Sequence, residues 1–96
     1  MAPKLPTQSR ETAETLALQA LGWIAADDDQ LGRFLALTGI APADLRHRLN
    51  DPTALAGVLD FLMGDEATLL AFCQDQEIAP EIIGLARRHL PGAPLE

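Results

Sequence analysis

The chain reads as an all-α protein, a compact bundle of about six short helices grouped as two pseudo-repeated three-helix units. Three observations predict it. Apolar residues make up 48 % of the 96 positions and aromatic ones only 4 %, so the core must be built mainly from Leu, Ile and Ala, with Val58 as the one valine; that is a helix-forming palette. Apolar positions recur at the helical i, i+3, i+4 spacing, and no stretch alternates as a strand would. Helix punctuation also recurs along the whole chain: Ser or Asp before an apolar run, Pro at a start, Gly at a stop.

Residues 1–8, with two prolines and no periodicity, are expected to form a flexible arm. Ser9 caps a first helix whose inner positions are Ala13, Leu16, Ala17, Ala20 and Ile24. Leu18, Leu21 and Trp23 widen that face, which predicts a helix covered on most sides. Asp27, Asp28 and Asp29 end this helix and begin the next, Asp27 and Gln30 standing at capping-box spacing. The second helix points Leu31, Phe34, Leu35 and Thr38 inward and stops at Gly39. A third starts at Pro42 and runs to about Leu49, with Leu45 and Leu49 inward.

Asp51 and Pro52 cap and open a fourth helix that buries Leu55, Val58, Leu59 and Leu62 and ends at Gly64. Asp65 caps a fifth, with Leu69, Phe72, Cys73 and Gln76 inward. Pro80 opens a sixth, with Ile82, Ile83, Ala86 and Leu90 inward, and the prolines and glycine after it end the domain, which spans residues 9–91. Residues 92–96 form a tail whose final Leu95-Glu96 has the character of a cloning scar.

A shift of 38 residues aligns the two halves: Leu21 with Leu59, Asp27 with Asp65, Leu31 with Leu69, Phe34 with Phe72, and Ile40-Ala41-Pro42 with Ile78-Ala79-Pro80. Trp23 falls over Phe61 and Ile24 over Leu62. These matches fit a duplicated three-helix unit, and they also fit two stretches of short helices that use the same punctuation. In either case two units are too few for an open repeat array and should close on each other. The repeated Ile-Ala-Pro marks helix starts, with each Ile placed as a hydrophobic staple. Gly39 precedes the first copy and Glu77 the second, so the two turns are expected to diverge there.

The stretches "LALQALGWIAADDDQLGRFLALTGI", "VLDFLMGDEATLLAFC" and "ARRHLPG" together resemble a family of small bacterial proteins classed as a domain of unknown function. The resemblance runs from about Glu14 to Gly92, and "GRFLALTG" is its most specific part. It implies a compact helical bacterial protein and carries over no catalytic or binding residue.

Fourteen acidic residues against seven basic ones give a formal charge of −7. That balance disfavours a nucleic-acid partner, because phosphate backbones are bound by a basic excess. The lone Cys73 has no disulfide partner within the chain, and the longest nearly apolar run, Leu16 to Ala26, is too short to span a bilayer. The expectation is a reduced cytoplasmic protein with no membrane association, either a monomer or a weak homodimer.

Catalytic chemistry is poorly served: there is no tyrosine, no Gly-rich phosphate loop, no Cys/His ligand array and no nucleophile-base spacing. Asp27, Asp29 and Gly32 match positions one, three and six of a calcium loop, but Leu31 and Thr38 fall where further oxygen ligands belong, so no metal is expected. Cys73 lies mid-helix beside Phe72, away from any thiolate-stabilising neighbour, and reads as a small core hydrophobe. No cofactor is expected and no catalytic residue is assigned.

The two remaining constellations are charged. Arg46, His47 and Arg48 cluster at one helix end, and Arg87, Arg88 and His89 at another; they complement the helix dipoles there, or converge to bind a phosphate or other anion. The candidate contacts for a protein partner are the acidic corners Asp27, Asp28, Asp29 and Asp65, Glu66, or a groove between the two halves. The leading expectation is a non-catalytic protein-protein interaction module of unknown partner, and the alternative is a small anion or ligand sensor built on the Arg/His clusters.

Overall fold

The computed structural model describes residues 9–92. The expected arm, residues 1–8, and the tail from residue 93 with its Leu95-Glu96 lie outside the described residues. Those described form five α-helices and one 3-10 helix, with no strand among them. In order they are α1 (Arg10–Ala25), α2 (Asp28–Thr38), the 3-10 helix (Pro42–Arg48), α3 (Pro52–Met63), α4 (Glu66–Gln76) and α5 (Pro80–Arg87).

Each start is chemically explained. Ser9, Asp27, Asp51 and Asp65 sit in extended backbone, and their side-chain oxygens accept from first-turn N–H groups that have no helical partner. Pro42, Pro52 and Pro80 open their helices, where a missing N–H costs nothing. The capping box at Asp27 is only half formed. Its Oδ1 accepts from the Asp29 and Gln30 N–H groups, but the Gln30 side-chain Oε1 accepts from Arg33, and no bond returns from that side chain to the Asp27 N–H.

The turn after α4 corrects the expectation of divergence. Gly39 has φ 75° and Glu77 has φ 56°, both left-handed, and the N–H of each donates to the carbonyl four residues back, on Leu35 and on Cys73. A non-glycine residue adopts that conformation at a cost of about 1 kcal/mol. The following Ile40 and Ile78 are both half-buried against the core, as staples require.

α1 and α3, the long first helices of the two units, pack on each other at the centre. α2 lies on α1, α4 on α3, and α5 on α3, α1 and α4. The core between them contains Ala13, Leu16, Ala17, Ala20, Leu21 and Ile24 from α1, six residues from α3, and Phe34, Phe72, Ile83 and Leu90. Phe34 and Phe72 are the two largest fully buried side chains, and removing either ring would cost about 3–5 kcal/mol. Leu90 closes the base just past α5, in a turn where the Leu90 N–H donates to the Arg87 carbonyl.

The aromatic contacts exchange between the units. Trp23 of the first meets Phe72 of the second edge-on at 5.5 Å, and Phe61 of the second meets Phe34 of the first edge-on at 5.6 Å. A shift of 38 residues converts one pair into the other. The correspondence read along the chain is therefore present in space as an approximate two-fold exchange.

Two inward assignments and the expected coverage of α1 need correction. Leu18 is 41 % exposed, Thr38 is exposed, and α1 is open along the face that carries Leu18, Gly22 and Ala25. Thr38 instead turns its hydroxyl back to donate to the Phe34 carbonyl, a common local bond for threonine near a helix end. Leu18 is exposed because the segment that should cover it, the 3-10 helix, places no residue fully in the core.

Candidate functional site

The 3-10 helix has the sequence "PADLRHR", in which Leu45 is the one large apolar residue, whereas α5 has "PEIIGLAR". With so little to bury, the first segment stays tightly wound and peripheral. Leu45 and Leu49 are half-buried against the core rather than within it. Between this segment and α1 runs an open groove of about 450 Å³ lined by Leu18, Leu21, Gly22 and Ala25 on one side and Pro42, Leu45, Arg46 and Leu49 on the other. Its walls are aliphatic, and Arg46 is its one charged residue.

The cationic clusters have divided roles. Arg87 is only 11 % exposed and forms a two-pronged bond to Asp60, from Nε at 2.7 Å and Nη2 at 3.3 Å. Its Nη1 donates to the carbonyls of Leu90 and Pro91, so one guanidinium ties α5, α3 and the closing turn together. Arg48 pairs with Asp51 at 3.2 Å. Arg46, His47, Arg88 and His89 are exposed and make no side-chain hydrogen bond or ion pair among the described residues. No hydrogen bond or ion pair joins one cluster to the other among those residues.

The acidic corners are likewise divided. Asp27 caps α2. Asp65 caps α4 and also receives the Arg33 guanidinium at 3.0 Å and the Thr68 hydroxyl at 2.9 Å. The Thr68 bond first, and then Arg33, hold the Asp65 carboxyl below the usual carboxylate range. Arg33 also reaches Gln30 at 3.0 Å and lies over the Phe61 ring at 5.3 Å, so it joins α2, α3 and α4. Asp28, Asp29 and Glu66 remain exposed, with side chains outside these bonds. Gln19 donates to Gln76 at 2.7 Å and Trp23 Nε1–H to Asp75 at 2.9 Å, joining α1 to α4.

Arg33 and Thr68 were not singled out by sequence, and the groove lies within the first half, between α1 and the 3-10 helix, rather than between the two halves. Arg33 is the lone basic residue of its helix and its charged partner Asp65 lies 32 residues on, and Thr68 gives no apolar signal although it is 4 % exposed. A faint sign of the groove was readable: Leu45 lacks the apolar companions that its counterpart Ile83 has.

Cys73 is 4 % exposed among core residues; burial first, with the Glu81 charge adding, pushes its thiol up, away from the reactive thiolate. No group of three His, Cys, Asp or Glu side chains is gathered as metal ligands among the described residues. No helix there is long and apolar enough to cross a membrane.

No curated protein and no solved structure matches the chain. A family described as Protein of unknown function (DUF3572) matches residues 10–93, from the first residue of α1 to just past the turn that Arg87 closes. With nearly its whole length matched, including both long helices, the groove and both cationic clusters, the chain belongs to the DUF3572 family.

Proposed function

We propose that this protein is a non-catalytic interaction module of the bacterial cytoplasm that acts by binding another protein. The open apolar groove beside α1 carries this reading. Its α1 wall leaves Leu18, Gly22 and Ala25 exposed side by side, with the half-buried Leu45 and Leu49 opposite. Exposed apolar patches rimmed by polar groups mark interaction sites. Asp28, Asp29 and Glu66 remain as supplementary contacts, while Asp27 and Asp65 act within the fold.

Affinity capture with mass spectrometry from the native cell tests the reading. A stoichiometric protein partner is expected, and repeated captures that return none would refute it.

A second reading, an anion sensor, has its own support in Arg46, His47, Arg88 and His89, which are exposed and form no ion pair among the described residues. Titration with inorganic phosphate should then shift the amides around Arg46–Arg48 and Arg88–His89, and Arg46→Ala with Arg88→Ala should abolish the response. Arg87 is unsuited to that test, because its loss would open the α3–α5 contact.

A further inference from the structure

We draw no further inference here: the strongest candidate, the open apolar groove between α1 and the 3-10 helix, carries nothing beyond the reading above because nothing in the structure shows what covers it.

Discussion

In the unit from Pro52 to Leu90, the third helix lies along the first and contributes Ile83, Ala86 and Leu90 to the core; in the unit from Arg10 to Leu49, the third segment contributes no fully buried residue. Everything before that point matches closely. Both units have an aspartate cap on the second helix, a buried Phe within it, a left-handed stop, a stapling Ile and a Pro start. The difference shows that punctuation and closure are separate properties. Caps and stops are local and set where a helix begins and ends, whereas closure depends on how much apolar surface the segment can bury. Burying Ile83 and Leu90 supplies about 1.5–3 kcal/mol each, and the 3-10 helix has no equivalent pair.

The strongest challenge to the correspondence is to remove its buried rings. Phe34→Ala and Phe72→Ala should each destabilise the protein by about 3–5 kcal/mol in urea unfolding, with Phe→Leu variants as the milder pair if either fails to fold. Costs that differ severalfold would show that the exchanged aromatic pairs are not equivalent in energy.

The two arginine clusters should separate next. Arg87→Ala should cost about 1.5–3 kcal/mol, because a nearly buried guanidinium with four acceptor contacts is lost. Arg48→Ala should cost less than about 1 kcal/mol, as for exposed pairs generally. Equal effects would contradict the division of roles between the clusters.

The turns offer a finer comparison. Glu77→Gly should raise stability by about 0.5–1 kcal/mol and Gly39→Ala should lower it by about 1 kcal/mol, since both positions are left-handed. A destabilising Glu77→Gly would mean that the Glu77 side chain contributes something beyond its backbone angle.

The smallest expected effect is a difference in acid response between the caps. Asp65 has a depressed pKa in the folded state, so its stabilising effect is fully present above the ordinary carboxylate value of about 4 and is lost as pH falls through the depressed one. Unfolding midpoints measured down this range should fall more steeply for the wild type than for Asp65→Asn. Parallel curves would place the Arg33–Thr68–Asp65 network outside the balance of stability.

Much of the fold was legible because its signals are local. Ser9, Asp27, Asp51 and Asp65 cap where their spacing said they would, and Phe34, Leu59, Phe72 and Ile83 are buried where the periodicity put them. The candidate site was legible only as charge. The Arg/His clusters stand out in the sequence, but nothing local distinguishes Arg87, drawn against Asp60 27 residues away, from Arg88 beside it. The same holds for Asp65, whose partner Arg33 lies 32 residues back.

By itself the sequence determined an all-helical chain, where its helices start and stop, and the buried rings Phe34 and Phe72, because caps, proline starts and apolar spacing act over a few residues. Only the tertiary structure decided that Glu77 copies the angle of Gly39, that Arg33 and Arg87 belong to the scaffold, and that α5 reaches the core while the 3-10 helix stays at its edge. Those outcomes depend on what packs across the molecule, and the low apolar content of "PADLRHR" beside "PEIIGLAR" becomes an open groove only once the 3-10 helix lies against α1.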